Sequence, residues 1–326
     1  MGLLLLLVGS LTAFAGNRVE SLVALPDGNQ VYVDYLKPNP GQPTVVLLNG
    51  LTYTTGTWRK FAEPLAKLSP GTGILRYDMK GMGQTLFTAK LPVSYTISLD
   101  DQVEELHLLL QHFGLNRANL VGLSYGSGVA VAFAARYPHE VEKLILMAPY
   151  TEAVASQDRW IHSQVKATRM MNPWNPATDD ELYDFFLRNL IYSTYPSAEP
   201  VVLENPFKLE AVFRMVQGIR KFSATKVAHL LPTNSVHLMV ANQDQYLDKE
   251  ALEAFWSAVP NSTRASRINI SFTEHKIPEA IPEYSAAWVA EIIANNPKIS
   301  AGRIFTGSTW DNLAKSEDAE ITLRKP

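Results

Sequence analysis

The chain has 326 residues, of which 46% are hydrophobic and 19% are charged, and this balance excludes a disordered or collagen-like protein. Its 29 Lys and Arg residues nearly balance its 32 Asp and Glu residues, so the net charge of -3 offers no basic surface for nucleic acid. The sequence contains no cysteine, which excludes disulfides, cysteine-ligated zinc and a thiol nucleophile. The length suits one large α/β domain or two ordinary ones.

The first fifteen residues have the pattern of a secretory signal peptide. Residues 3–8 form an apolar run, and Ala13-Phe14-Ala15 provides the small residues of a cleavage site. No Lys or Arg precedes the run, so a buried N-terminal strand or helix is the alternative. We expect residues 1–15 to be a signal peptide and the protein to be secreted or periplasmic, and otherwise cytoplasmic. No stretch reaches spanning length, so we expect no stable membrane span in the mature protein.

Strand-like apolar runs then alternate with helical segments. A turn at Pro26–Asn29 separates the first two runs and predicts a hairpin. Continuous apolar runs such as Thr44–Leu48 are typical of strands buried on both faces of a parallel sheet. The predicted strands are Val19–Leu25, Val31–Leu36, Thr44–Leu48, Gly73–Tyr77, Ala118–Leu123, Val141–Met147, Ser235–Val240 and Arg267–Phe272. The alternation predicts an α/β fold with a mostly parallel, eight-stranded sheet and helices on both faces.

Two segments break this alternation. Between residues 149 and 232 the strand-like runs disappear, and helical stretches carry aromatic residues and methionines among prolines. We predict a helical insertion there, with the α/β core formed by residues 16–148 and 233–297. Residues 298–326 combine low hydrophobicity with scattered charge, which predicts a C-terminal tail.

A motif that suits a nucleophile lies between a predicted strand and a predicted helix of small residues. Gly122-Leu123-Ser124-Tyr125-Gly126 has the pattern G-x-S-x-G. A tight turn from strand to helix strains the backbone at the serine and tolerates only small neighbours, which explains both glycines. We therefore predict that Ser124 is a nucleophile.

The succession of motifs resembles that of the α/β-hydrolase fold superfamily, in the branch that carries a helical cap after the sixth strand. The resemblance covers residues 19–296. Leu47-Leu48-Asn49-Gly50 resembles the family's His-Gly element, with Asn49 where His is common. The segment 76–83 resembles the family's Asp-x-Arg-Gly-x-Gly segment, with Lys80 where Arg is common, and 137–141 resembles the family's approach to the sixth strand.

The resemblance implies a triad in the chain order serine, acid, histidine. His275 follows the last predicted strand in a segment similar to the family's histidine loop, and we predict that it is the general base. The other six histidines are interpreted as structural or solvent-exposed. Asp244 lies just beyond a predicted strand end, at the family's acid position. Asp248 is the alternative acid, but it directly precedes a predicted helix and is more simply an N-cap.

The tetrahedral intermediate of such a reaction needs two N–H donors for its negative charge. We predict the backbone N–H groups of Tyr125, at the start of a helix, and of Leu51. The predicted substrate contacts are Asn49, Gly50, Thr52, Trp160 and Trp174. The aromatic residues and methionines of the insertion suit an apolar part of a substrate, but they equally suit the insertion's own core.

Together these features predict a serine hydrolase that cleaves a carboxylic ester of a small or medium apolar substrate through an acyl-enzyme. Thioesterase, lactonase, C–C hydrolase, acyltransferase and aminopeptidase activities stay open because the same triad serves them, as does a non-catalytic ligand-binding module. The sequence holds neither an H-E-x-x-H motif nor a G-x-G-x-x-G motif, so we expect no metal and no cofactor. Arg76 and Asp78 are interpreted as structural, and the oligomeric state is left open.

Overall fold

The structure is a computed structural model that describes residues 17–88, 97–198 and 206–326. The predicted signal peptide, residues 1–15, lies outside the described residues. Within the three described ranges, no helix has both the length and the apolar character needed to cross a membrane.

The described strands form one sheet with a parallel centre. They are β1 (Arg18–Ala24), β2 (Gln30–Leu36), β3 (Thr44–Leu48), β4 (Gly73–Tyr77), β5 (Ala118–Leu123), β6 (Val141–Met147), β7 (Val236–Ala241), β8 (Arg264–Ile270), β9 (Arg303–Ser308), β10 (Leu313–Lys315) and β11 (Glu320–Thr322). Their order across the sheet is β1-β2-β4-β3-β5-β6-β7-β8-β9-β10-β11. The hairpin β1–β2 is antiparallel, and all pairs from β4 to β9 in this order are parallel. The mostly parallel α/β sheet is therefore confirmed.

Helices connect the strands. They are α1 (Arg59–Leu68), α2 (Gly83–Thr88), α3 (Leu99–His112), α4 (Tyr125–Arg136), α5 (Ala155–Met171), α6 (Asp179–Ala198), α7 (Pro206–Ile219), α8 (Ala224–Val227), α9 (Lys249–Ala258), α10 (Ile277–Ala280) and α11 (Pro282–Ile293). Helix α3 begins with a capping box, in which the Asp101 N–H donates to Ser98 Oγ (3.0 Å) and the Ser98 N–H donates to Asp101 Oδ2 (2.8 Å).

The sheet separates two hydrophobic cores. In β3, Val46 and Leu48 belong to one core, whereas Val45 and Leu47 belong to the other, because successive side chains of a strand point to opposite faces. This burial on both faces is why the central strands lack polar alternation.

Three strands, β9 to β11, occupy the region where the sequence predicted a tail. β9 pairs in parallel with β8, and β10 and β11 continue the sheet as antiparallel strands. Phe305 of β9 is fully buried and packs edge-on against Trp288 at a centroid distance of 5.1 Å. The sheet therefore has eleven described strands instead of the predicted eight, and residues 298–326 are not a tail. Residues of these strands alternate between buried and exposed, which keeps the average hydrophobicity of the segment low.

The insertion between β6 and β7 forms helices α5 to α8 and contains no strand among its described residues. Helices α5 and α6 pack on each other, and α7 packs on α6. We call α5, α6 and α7 the cap. Gly218 of α7 allows close contact with the core, because a Cβ at this position would overlap the carbonyl oxygen of Ile97.

Candidate active site

Ser124 occupies a strained turn between β5 and α4. Its φ of 51° and ψ of -115° lie outside the regions that residues with a side chain usually adopt. A Cβ on Gly122 would lie 2.6 Å from the Cα of Ser127, and a Cβ on Gly126 would lie 2.6 Å from the carbonyl oxygen of Asn49. Only glycine fits at both positions, as the G-x-S-x-G motif predicted. The turn presents Ser124 at the carboxyl edge of the parallel strands.

Two backbone N–H groups next to this turn have no hydrogen-bond acceptor among the described residues. Tyr125 is the first residue of α4, where N–H groups lack an intrahelical acceptor. Leu51 lies in the loop after β3, followed by Thr52 with a φ of 71°. Among the described residues, no backbone oxygen accepts from either N–H group. Both groups are therefore available to an anion at Ser124.

His275 and Asp244 form a hydrogen-bonded pair. His275, in the loop after β8, places its Nδ1 2.7 Å from Oδ2 of Asp244, in the loop after β7. The other carboxylate oxygen, Oδ1, accepts from the N–H groups of Tyr246 (2.8 Å) and Leu247 (3.3 Å). Because an ionised carboxylate only accepts hydrogen bonds, Nδ1 is the donor, and Nε2 of the neutral ring carries the lone pair. The pair is oriented so that Nε2 is the basic nitrogen.

The competing residues have structural roles. The side chain of Asp248 accepts from the N–H groups of Glu250 (3.0 Å) and Ala251 (3.4 Å), so Asp248 is the N-cap of α9. His237 is buried in β7 with its Nδ1 2.8 Å from Ser266 Oγ. Burial in the sheet, with a smaller contribution from a nearby lysine, lowers the pKa of His237 to about 3 and keeps it neutral.

Ser124 and His275 line one cavity of about 210 Å³. Its floor includes Gly50, Leu51 and Thr52 of the loop after β3. The cap residues that line it are mostly apolar: Ala153, Val154, Ile161, Leu187, Leu190, Ile191 and Val216. No group of three or more His, Cys, Asp or Glu side chains in the described ranges could hold a metal ion.

Comparison with known proteins supports one fold for this chain. Residues 43–197 match the family model for the alpha/beta hydrolase fold. The structure also resembles MGS-M2, an alpha/beta hydrolase enzyme from a Medee basin deep-sea metagenome library, with a TM-score of 0.62 and 18% identity over 85% of this chain and 98% of the other. The structure therefore has the α/β-hydrolase fold.

Two further likenesses are more distant or more local. The structure also resembles a bacterial membrane phospholipase A that is described as a virulence factor. The TM-score is 0.61 and the identity is 18%, and the match covers 86% of this chain and 87% of the phospholipase. A 2-hydroxy-6-oxo-2,4-heptadienoate hydrolase of Pseudomonas putida is 34% identical over 107 residues, which are 33% of this chain and 37% of that protein. The chain spans less than half the length of the curated relatives it matches. At 18% identity, the structural likenesses show the fold alone.

Three of the predicted substrate contacts lie outside the cavity. Asn49 is fully buried, where its Nδ2 donates to the carbonyl of Tyr77 (3.0 Å) and its Oδ1 accepts from Trp58 Nε1 (2.7 Å). It therefore anchors the loop that carries Leu51 without facing the cavity. Trp160 and Trp174 lie on the outer surface of the cap and do not line the cavity. Gly50 and Thr52 do line it.

Arg76 and Asp78 lie beneath the loop after β3, away from the cavity lining. Asp78 accepts from the N–H groups of Thr55 (2.7 Å) and Gln84 (2.7 Å), and burial raises its pKa. Arg76 donates to the carbonyl oxygen of Thr55 (2.9 Å) and forms an ion pair with Asp34. These contacts hold the loop in place, which is a structural role.

The sequence analysis missed a polar group on the cap side of the cavity. Asp158 accepts from the hydroxyl of Tyr183 (2.8 Å), and the guanidinium of Arg220 lies 4.3 Å from the Tyr183 ring centroid. Arg220 also approaches Asp184 (3.7 Å). All but Asp184 line the cavity. These residues come from three different cap helices or their ends, so no local spacing in the sequence identifies them. The sequence gives one local indication that Asp158 faces the cavity. It lies three residues before Ile161, and residues at this spacing share one face of a helix.

Proposed function

We propose that the protein is a serine hydrolase that cleaves a carboxylic ester of a small or medium apolar substrate, with Ser124, His275 and Asp244 as its triad. The observation that carries this proposal is the 2.7 Å hydrogen bond between His275 Nδ1 and Asp244 Oδ2 at a cavity that Ser124 also lines. It supplies an oriented base beside a serine on a strained strand-to-helix turn, which is the arrangement that activates a hydroxyl.

Acylation begins when Ser124 Oγ bonds to the ester carbonyl carbon while His275 Nε2 takes the hydroxyl proton. Asp244 stabilises the resulting imidazolium. The carbonyl electrons move onto oxygen, and the N–H groups of Tyr125 and Leu51 stabilise this oxyanion. Loss of one such donor costs on the order of 10²–10³ in rate. The intermediate collapses, the C–O bond to the alcohol breaks, and His275 returns the proton to the leaving oxygen.

Deacylation repeats these steps with water. His275 Nε2 takes a proton from water as its oxygen bonds to the acyl carbon, and a second oxyanion forms at the same N–H groups. Collapse breaks the bond to Ser124 Oγ, which recovers its proton from His275. The products are a carboxylic acid, an alcohol and the free enzyme.

The cavity supports a limit on the substrate. Its volume of about 210 Å³ is below the roughly 300–1,000 Å³ of pockets for drug-sized ligands. The apolar cap side chains favour a hydrocarbon group, whereas Arg220 and Asp158 place polar groups at the cap side. We therefore expect short acyl chains to be turned over faster than long ones.

Intact mass after treatment with a fluorophosphonate tests the proposal. The wild type and a Ser163→Ala variant, which removes an exposed serine of α5, are each expected to gain one adduct, and Ser124→Ala none. Turnover of p-nitrophenyl esters of increasing acyl length is expected in the first two proteins and absent from Ser124→Ala. Thioester and lactone substrates assayed beside the esters distinguish the alternative acyl chemistries.

An adduct that persists in Ser124→Ala would place the reactive group elsewhere. Folded wild type that shows neither adduct nor turnover would refute the hydrolase and favour the ligand-binding module. In that case a bound ligand would be retained by Ser124→Ala.

A further inference from the structure

The outer face of the cap carries large apolar side chains that are exposed to solvent. Trp160, Met170, Met171 and Trp174 are 45%, 74%, 82% and 89% exposed. We call these four residues the cap stripe. We propose that the cap stripe docks the protein on an anionic lipid surface.

Helix α5 has two apolar faces with different surroundings. Its inner face buries Ile161 and Val165, and Ile161 lines the cavity. Trp160 and Met171 are eleven residues apart, which is close to three helical turns, so both project from one face, turned roughly 80–140° around the helix from Ile161 and Val165. A helix that packs on a protein core through one side has apolar residues on that side only. The packing of α5 on the core therefore does not explain the apolar residues on its outer face.

The apolar surface continues from α5 onto α6. The rings of Trp160 and Phe186 meet edge-on at 6.4 Å, and Phe186 meets Phe185 edge-on at 5.3 Å. Phe185 is itself exposed. The cap stripe is therefore joined at one end to a second aromatic group.

Two cations flank the cap stripe. Arg159 and Lys166 are both exposed, and neither has an ion-pair partner among the described residues. Of the acids on α5 and at the start of α6, Asp158 lines the cavity and accepts from the Tyr183 hydroxyl (2.8 Å), and Asp179 pairs with Arg169 (2.7 Å). The flank thus presents uncompensated positive charge, which complements anionic headgroups.

The shape of this surface fits a bilayer better than a protein partner. The cap stripe runs about 16 Å along the helix, and three of its four side chains are at least 74% exposed, so they project from the surface instead of lining a groove. Met171 and Trp174 project almost fully from the end of the helix, which suits insertion between headgroups. Tryptophan also favours the boundary between the apolar and polar parts of a membrane.

Docking there would hold the cavity about one helix diameter, roughly 10 Å, from the lipid surface, because the inner face of the same helix lines the cavity. The proposal does not depend on the hydrolase activity. Binding to vesicles is therefore measured on the Ser124→Ala background as well as on the wild type.

Co-sedimentation with vesicles of phosphatidylglycerol and phosphatidylcholine tests the proposal. The full chain is expected to bind these vesicles and to bind pure phosphatidylcholine more weakly. The double variant Met171→Ser/Trp174→Ser is expected to bind at least tenfold more weakly. Removing Arg159 and Lys166 by Arg159→Gln and Lys166→Gln should weaken binding about fivefold for each charge. The control Trp310→Ser removes a side chain that is 87% exposed between β9 and β10 and should leave binding unchanged.

A local readout separates the cap from any other membrane contact of the full chain. Brominated lipids quench tryptophan that enters the bilayer, so Trp174→Phe should lower the quenching while Trp310→Phe should not. Equal quenching in Trp174→Phe and the wild type would overturn the proposal, as would wild type that does not bind anionic vesicles. A dimer in light scattering that Met171→Ser/Trp174→Ser dissociates would also overturn it and assign the cap stripe to a protein interface.

Discussion

Replacement of Glu105 by glutamine should remove a large pH dependence from the stability of the protein. Glu105 is buried in α3, where its Oε1 accepts from the N–H of Lys80 (2.9 Å). Burial, with smaller contributions from Asp27 and Asp101, raises the pKa of Glu105 from 4.5 to about 8, and Lys80 opposes this shift. The carboxyl is thus protonated in the folded protein at neutral pH and ionised in the unfolded chain.

The sign and size of the effect follow from proton linkage. Below pH 4.5 both states hold the proton, and the protonated carboxyl contributes its full stabilisation. Between pH 4.5 and about 8 only the folded state holds the proton, so the free energy of unfolding falls by about 1.4 kcal/mol per pH unit. Over the whole window the loss is at most about 5 kcal/mol. Glu105→Gln keeps the hydrogen-bond acceptor but not the titration, so its stability relative to the wild type should rise with pH.

Urea unfolding at pH 5, 6, 7 and 8 measures this effect as the difference between wild type and variant. Other titrating groups are common to both proteins and cancel in that difference. Glu63→Gln, at an exposed position of α1, is the matched control and should show a constant difference. A constant difference for Glu105→Gln as well would refute the reasoning, because it would mean that Glu105 titrates alike in the folded and unfolded states.

Three further variants test the site and the fold. Asp244→Asn should leave His275 without a partner that fixes its tautomer and lower ester turnover about 10⁴-fold with unchanged circular dichroism, whereas retained turnover would exclude Asp244 as the acid. Gly126→Ala should destabilise the protein by about 1–3 kcal/mol or prevent folding, because its Cβ would overlap backbone oxygens of the preceding loop, and thermal unfolding unchanged from the wild type would contradict this. Phe305→Ala should lower the free energy of unfolding, measured in urea, by about 3–5 kcal/mol. Ile304, on the same strand, is half exposed, so Ile304→Ala should lower it far less. Equal losses in the two variants would contradict the placement of β9 in the core.

The sequence was most informative where one physical constraint acts on consecutive residues. A strand buried on both faces, such as β3, consists of consecutive apolar residues. The crowded turn at Ser124 accepts only glycine at positions 122 and 126. The choice of Asp244 over Asp248 for the partner of His275 also followed from local position, since one follows a strand and the other begins a helix.

Where the environment of a side chain depends on distant segments, the sequence was misleading. Asn49 directly precedes Gly50 and Leu51 of the loop after β3, yet its hydrogen bonds with Trp58 and with the backbone of Tyr77 turn it inward. Trp160 and Trp174 are aromatic residues of the cap that face outward, and composition does not distinguish the two faces of a helix. The strands β9 to β11 are short and apolar on one side only, so their pattern resembles a loop until β8 provides an edge to pair with.

The position of the cap between two adjacent strands has a consequence for how such a protein can change. Leu144 of β6 pairs with Val236 of β7, so the chain leaves the sheet and returns to the neighbouring strand with the whole insertion between. Closing a connection of twice the length costs only about 0.6 kcal/mol more in chain entropy. During evolution the cap could therefore be lengthened, shortened or exchanged with little effect on the stability of the α/β core that holds Ser124. Substrate preference and core stability are then inherited through separate parts of one chain.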